Sequence, residues 1–319
     1  MIVVISYPDD PHAIRVMDCL EQARHDAVLV DLSDLPDRAT ITIDYSEPTQ
    51  PRAEYHIGDT RLDLTSAGSV WWRRPQIAAP SEVADPDTYQ FTSNEWQEAV
   101  NGLWQLLEAA WMNPPALDEV ASRKALQLRT AARAGLRVPR TLVTSDPDQA
   151  RQFIESEGVG NTIFKTFSCT YAIWRETRLV RAAELEALDA VRLAPVIFQE
   201  YVPAGVDLRI TVVGEQMYPA AIHAANTNYP TDFRMSLGEA VTEPTTLPEE
   251  VERRLRRFMD TLGLVYGAVD MRLTPDGDYV FLEVNTGGEF LFIEERTGQP
   301  ITQAVADWLA SAATRPAAG

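Results

Sequence analysis

Hydrophobic positions along the first third of the chain fall into short continuous runs separated by helix-spaced stretches, whereas the last third is dominated by strand-like runs. Ile2-Val3-Val4-Ile5 is a continuous apolar run, the pattern of a strand buried on both faces. Pro11 to Arg24 follows with Ile14, Met17 and Leu20 at helical spacing, and Val28-Leu29-Val30 reads as a second strand. This β–α–β opening predicts a parallel pair joined by a right-handed crossover. Tyr55 to Leu64 alternates around Gly58-Asp59 and reads as a hairpin. Ser93 reads as the N-cap of a long helix through Trp111, with Trp96, Val100, Leu103, Leu107 and Trp111 on one face. Asn113-Pro114-Pro115 closes the unit.

Beyond it, Ser122 to Ala134 is helical in spacing and is stopped by Gly135. An extended Arg140 to Thr144, a helix over 147–157 and a strand Thr162 to Lys165 follow. From Val196-Ile197-Phe198 onward the pattern is mainly antiparallel sheet. Leu208 to Val213 turns at Gly214-Glu215 into Gln216 to Ala220, and Ala268 to Leu273 turns at Pro275-Asp276-Gly277 into Tyr279 to Val284. One helix, 248–262, carries Val251, Leu255, Phe258 and Leu262 on one side and lies on that sheet. The reading is an α/β (α+β) chain in three units, 1–115, 116–198 and 199–319.

With 45% hydrophobic and 24% charged residues, the chain can bury a sizeable core. No apolar run approaches the ~20 residues of a membrane span. The N-terminus lacks a signal peptide's basic region, and Cys19 and Cys169 show no disulfide-framework spacing, so a cytoplasmic protein with no membrane partner is expected. A formal charge of −19 argues against nucleic-acid binding as the main activity. The run Arg253-Arg254-Leu255-Arg256-Arg257 reads as a solvated helix face. Only Lys124 and Lys165 are lysines among 28 basic residues, so 28 − 2 leaves 26 arginines. A lysine offers a compact point charge where arginine offers a planar fork, which suits a single phosphate oxygen deep in a pocket.

The densest chemistry lies in Asp270 and in Phe281-Leu282-Glu283-Val284-Asn285. Side chains alternate along a strand, so Glu283 and Asn285 share a face, and Asp270 can lie beside them across the hairpin. Two carboxylates and an amide oxygen form an all-oxygen set suited to Mg²⁺ completed by phosphate oxygens. Val269, Met271, Leu282 and Val284 are too apolar for a merely solvent-exposed polar hairpin.

With these residues in order, the chain resembles the ATP-grasp ligases over roughly 115–300. The resemblance implies an ATP-grasp fold behind an N-terminal pre-ATP-grasp α/β domain, with ATP and Mg²⁺ as cofactors. It implies that Lys124 and Lys165 reach the phosphates, that Gln199-Glu200-Tyr201-Val202 is the adenine hinge acting through backbone groups, and that Asp207 meets the ribose. Asp270, Glu283 and Asn285 would hold two Mg²⁺ ions. Asp207-Leu208-Arg209-Ile210-Thr211-Val212-Val213-Gly214 is similar to a pattern of the glutamate-ligase branch. Trp71-Trp72-Arg73-Arg74-Pro75, Asn285 to Glu294 and Glu295 to Ile301 resemble the microviridin-type, or graspetide, synthetases. Such enzymes join Asp or Glu side chains of a ribosomal precursor peptide to hydroxyls or amines, giving ω-ester or ω-amide rings. Two departures stand out: Thr166 to Arg178 contains no glycine, and the segment after the metal strand is Asn285-Thr286-Gly287-Gly288 rather than Asn-Pro-Ser-Gly.

In the chemistry so implied, ATP phosphorylates a carboxylate, and Arg209 and Arg234 stabilise the phosphoryl group and the oxyanion. Arg73, Arg74 and Arg234 are candidates for attracting an acidic substrate, and 221–247 for a groove that takes a leader helix. The expected partner is a precursor peptide with a leader and an acidic, hydroxyl-rich core, and the expected assembly a homo-oligomer, a dimer. Two other readings stay open: ligation of a free amino acid or small carboxylate to an amine, and a non-catalytic nucleotide-dependent peptide-binding module. None of His12, His25, His56 and His223 has a nucleophile motif around it, and no general base is assigned.

Overall fold

The structure is a computed structural model and describes residues 1–76, 80, 83–167, 177–203, 205–223 and 240–314. Its N-terminal unit contains β1 (Ile2–Ile5), α1 (Pro11–Gln22), β2 (Ala27–Val30), β3 (Ala39–Asp44), β4 (Arg52–Ile57), β5 (Thr60–Asp63), β6 (Ser69–Trp72), α2 (Pro86–Gln105) and β7 (Ala110–Met112). The expected parallel pair is present, and β6 and β7 extend it into a parallel sheet of order β2-β1-β6-β7. The hairpin at Gly58-Asp59 is β4–β5, and β3 adds a third antiparallel strand that the sequence pattern did not suggest.

Helix α2 departs from expectation at both ends. It begins at Pro86, because the Asp85 carboxylate accepts from the Thr88 amide at 2.9 Å and proline suits the first helical position. Ser93 therefore lies inside the helix with its hydroxyl turned inward. The helix ends at Gln105, and Trp111 sits on β7 opposite Val70. Trp111 still reaches the intended core, edge-to-face with Trp104 at 6.2 Å.

Helix α4 (Lys124–Ala134) is the helix read from Ser122, and α3 (Pro115–Ala121), which the sequence pattern did not suggest, precedes it. Gly135, at φ 92°, ends α4 as anticipated. The central lobe follows: β8 (Thr141–Thr144), α5 (Pro147–Glu157), β9 (Thr162–Lys165), β10 (Arg178–Leu179), α6 (Ala182–Glu186) and β11 (Val196–Glu200), in an antiparallel sheet of order β10-β9-β11-β8. The chain then enters a five-stranded antiparallel sheet of order β14-β13-β12-β15-β16. Its strands are β12 (Val206–Val213), β13 (Gln216–His223), β14 (Val241–Pro244), β15 (Tyr266–Leu273) and β16 (Tyr279–Asn285). Helix α7 (Glu249–Leu262) packs Val251, Leu255, Phe258, Met259 and Leu262 beneath the sheet, while its arginines face outward and pair with Glu250 and Glu215. Helices α8 (Leu291–Thr297) and α9 (Ile301–Ala313) close the chain.

Two of the cores set the mechanics. Ile2, Val4, Val16, Leu20, Trp71 and Met112 of the N-terminal unit share one cluster with Val213, Ala220, Ile222, Tyr266, Phe290, Val305 and Leu309. The Ser69 hydroxyl donates to the Leu309 carbonyl at 2.8 Å inside that seam. Asn113 also crosses it, accepting from the Val265 and Tyr266 amides at 2.8 and 2.9 Å and donating to the Tyr266 carbonyl at 2.9 Å. The central lobe has a separate core around Ala150, Ile154, Val180, Leu188, Val191 and Phe198.

Candidate active site

A cleft of about 310 Å³ opens between the central lobe and the five-stranded sheet. Lys124, Lys165, Gln199, Glu200, Tyr201, Val202, Asp207, Asp270, Glu283 and Asn285 all line it. Residues from Lys124 to Asn285 are thus brought to one place. Arg234 and most of the 221–247 segment lie outside the described residues, as does most of the glycine-free stretch after Lys165.

The floor is built by β15 and β16. Asp270 stands directly opposite Glu283, and Ala268 opposite Asn285. A β-bulge falls at Leu282, because Met271 pairs with Phe281 while Asp270 pairs with Glu283. Strict alternation would put Phe281 on the face of Glu283. The extra residue instead sends Phe281 into the core with Met271 and leaves both Leu282 and Glu283 facing the cleft.

Every carboxylate on this floor meets a cation. Lys124, in the first turn of α4, forms an ion pair with Glu283. Arg209 lies across from Asp270 on β12, its Nε 3.2 Å from Oδ1, and its guanidinium packs over the Phe292 ring at 5.7 Å. Buried and behind Asp270, Arg209 does not line the cleft, so its first contact is with a carboxylate rather than with a ligand. Asp207 is likewise buried at 2% exposure, and its Oδ1 accepts from Arg272 Nε at 2.9 Å. Arg272 was not singled out from sequence. It donates onward to the Val202 carbonyl at 2.7 Å and lies over the Tyr201 ring at 5.6 Å.

At the hinge, the Glu200 amide donates to the Arg140 carbonyl and the Tyr201 amide to the Asn161 carbonyl, at 2.9 and 2.7 Å. The Lys165 ammonium donates to Gln199 Oε1 at 3.2 Å, and Gln199 is itself held by Thr141 Oγ1 at 2.8 Å. Gln127, another residue that sequence reading missed, bolts α4 to β16. It donates to the Ala121 and Val284 carbonyls at 2.7 and 2.9 Å and accepts from the Val284 amide at 3.1 Å. The Lys124–Glu283 contact inherits its geometry from that bracket.

Arg73 corrects the sequence expectation. It is 2% exposed and engaged with Asp10 and with the Gly287 and Gly288 carbonyls, so it is no surface attractor for an acidic substrate. Arg74 remains half-buried and pairs with Glu289 at 2.9 Å.

Among the described residues no three His, Cys, Asp or Glu side chains converge on a metal position. The β15–β16 floor of the cleft offers two carboxylates and an amide oxygen, with lysines at hand for the charge of phosphates. That donor set fits Mg²⁺, which takes few protein oxygens and keeps water and phosphate ligands.

A five-stranded sheet and a smaller antiparallel lobe, gripping a cleft with paired carboxylates and two lysines, define an ATP-grasp ligase, a class that uses ATP and Mg²⁺. More narrowly, the chain belongs to the RimK-like ATP-grasp family, whose domain model matches residues 121–309, and the MvdD pre-ATP-grasp domain model matches residues 1–119. The chain is similar to the macrocyclase MdnC bound with precursor peptide MdnA from Microcystis aeruginosa MRC, at 29% identity and a TM-score of 0.86, over 97% of this chain and 98% of that one. It is similar to the ATP-grasp ligase PsnB complexed with minimal precursor, Mg and ADP, at 26% identity and a TM-score of 0.80, over 98% and 97% of the two chains. It is also 29% identical over 217 residues to a ribosomal protein bS6–L-glutamate ligase of Salmonella paratyphi B, covering 66% of this chain and 71% of that protein. Among the described residues no helix is long and apolar enough to cross a membrane.

Proposed function

We propose that this ligase activates Asp or Glu side chains of a ribosomal precursor peptide and joins them to hydroxyl or amine side chains of the same peptide. The observation that carries the reading is the whole-length likeness to MdnC and PsnB, with the two carboxylates, the amide and both lysines facing one cleft. The bS6–glutamate ligase matches over a shorter stretch, and the MvdD-type N-terminal unit favours a peptide over a free amino acid.

The geometry supports a role for each residue. Lys124 and Lys165 take phosphate oxygens, which for Lys124 means exchanging its Glu283 partner for the nucleotide. With the Glu200 and Tyr201 amides already engaged, the donor for an adenine edge falls to Val202. Asp207 acts through Arg272, which fixes Tyr201 and Val202, rather than meeting the ribose alone. Asp270, Glu283 and Asn285 would hold Mg²⁺, which would supply positive charge against the phosphates. Arg209 orients Asp270, and Arg234 is retained as the candidate for the phosphoryl group. Transfer of the γ-phosphoryl to a side-chain carboxylate releases ADP. Attack by a hydroxyl or amine then expels phosphate and leaves the ester or amide, a net loss of one water from the peptide per ring.

The same reading keeps the three-unit division 1–115, 116–198 and 199–319, a cytoplasmic location, a dimer, and neither nucleic acid nor membrane as partner. ADP release that requires an acidic peptide containing Ser, Thr or Lys, with a mass loss of about one water per linkage, is the expected result. Release driven by a free amino acid alone refutes it. Glu283→Gln should abolish turnover while the melting temperature stays near that of the parent; unchanged turnover would sink the metal assignment.

A further inference from the structure

Strand β16 ends at Asn285, and the side chain of that residue is shaped by the turn that follows. The Gly287 amide donates to Asn285 Oδ1 at 3.1 Å, and the Gly288 amide to the Asn285 carbonyl at 3.2 Å. This turn is gripped from both sides of the seam. Arg73 Nη1 donates to the Gly287 and Gly288 carbonyls, and the Tyr266 hydroxyl donates to the latter at 2.6 Å. Approach this close needs glycine: a Cβ at Gly287 would meet the Arg73 carbonyl at 3.2 Å, and one at Gly288 would overlap Ala268.

The grip is itself held. Arg73 Nε donates to Asp10 Oδ2 at 3.2 Å, and Ser6 Oγ donates to the same oxygen at 2.8 Å. His12 faces Asp10 Oδ1 through Nδ1 at 3.2 Å, while its Nε2 accepts the Phe290 and Leu291 amides at 3.1 and 3.3 Å. Nε2 therefore carries the lone pair and Nδ1 the proton. The N-terminal unit thus holds both ends of the segment from Gly287 to Leu291.

Stability does not explain this choice of residues. The Arg73 side chain is fully buried with one carboxylate partner, and its Nη2 has no hydrogen-bond partner among the described residues. A buried ion pair of that kind is commonly no more stabilising than well-packed apolar side chains of the same volume. None of Asp10, His12 and Arg73 lines the cleft, so whatever they do there passes through the turn.

We propose that Arg73, locked by Asp10 and His12, is a positioning residue that sets the Asn285 amide oxygen for the metal. The proposal rests on reading Asn285 as a metal ligand. Its test is the affinity of the ADP-saturated full chain for Mn²⁺, followed by electron paramagnetic resonance, beside metal-free ADP affinity by calorimetry and thermal melting. Arg73→Lys should weaken Mn²⁺ binding by about tenfold or more, the usual effect of removing an outer-shell partner. Metal-free ADP affinity should stay within about twofold, since the hinge is untouched. His12→Ala should weaken Mn²⁺ binding in the same direction, and His12→Gln, which can both donate and accept, should restore it.

Thr302→Val is the control for a purely structural effect. It removes a buried hydroxyl bonded to Glu294 Oε2 at 2.7 Å, and should lower the melting temperature without moving Mn²⁺ affinity. Unchanged Mn²⁺ affinity in folded Arg73→Lys overturns the proposal, as does equal weakening in Thr302→Val. If Arg73→Lys fails to fold, the His12 pair decides by the same criterion. Asn285→Ala separates the two levels. If it leaves Mn²⁺ affinity unchanged, the metal reading has failed; if it weakens binding while the Arg73 and His12 variants do not, only the positioning role has.

Discussion

Lys124 and Lys165 hold the two positions in this arginine-rich chain where a point charge faces the cleft, one from a helix start and one from a strand end. Replacing either by Arg keeps the charge and loses the compact geometry. Each variant should bind ATP about tenfold more weakly, ~1.4 kcal/mol, with an unchanged melting temperature, as calorimetry and a thermal melt would show. His12 gives a second prediction. Burial, and repulsion from Arg73, hold its pKa below the ordinary 6.5, against the opposing pull of Asp10 and Glu289. A proton on Nε2 would break both amide contacts, so the unfolded chain takes up that proton first. The stability His12 contributes is present above about pH 6.5 and is lost as pH falls from there through the folded value. The urea midpoint should thus drop more between pH 7.5 and 5.5 in the parent than in His12→Gln. The lysines were legible from their rarity and neighbours. Arg73, Arg272 and His12 were not, because their meaning lies in partners 63, 65 and 278 positions away.

Gln127 shows how an element, rather than a ligand, sets the site. Three hydrogen bonds from one buried side chain join the end of α3, the body of α4 and strand β16. Gln127→Leu removes them and leaves the Val284 backbone groups short of a partner. A loss of about 2–3 kcal/mol is expected in urea unfolding, together with weaker ATP binding as Lys124 loses its register. Element identity was largely readable. Periodicity located β1, α1, β2, the β4–β5 hairpin, α5, α7 and the β15–β16 pair. The failures have local causes. Asp85-Pro86 out-competes Ser93 as a helix start, and β7 takes Trp111 because strand and helix share the same apolar spacing over so short a run. The bulge at Leu282 was invisible, since alternation predicts the face of Glu283 correctly whether or not an extra residue precedes it.

For the whole molecule, the shared core makes the N-terminal unit and the five-stranded sheet one body, with the central lobe as the other wall of the cleft. A fragment of residues 116–314 would expose Val213, Ala220, Ile222, Tyr266 and Phe290 to water. It should give no cooperative melt and should aggregate; a folded, nucleotide-binding fragment would show that the seam is dispensable. The seam was not readable in sequence, because α9 returns to β6 only after some 240 residues.

The paired charges also settle how an acidic chain can serve an acidic substrate. Asp207, Asp270, Glu283 and Glu200 stand on the cleft wall with Arg272, Arg209, Lys124 and Lys165 on or just behind it. Their formal charges cancel. The −19 of the protein is therefore carried elsewhere, on surfaces that salt screens within about 10 Å. An incoming polyanion meets a locally neutral wall, and one that draws Lys124 toward itself would free the Glu283 carboxylate.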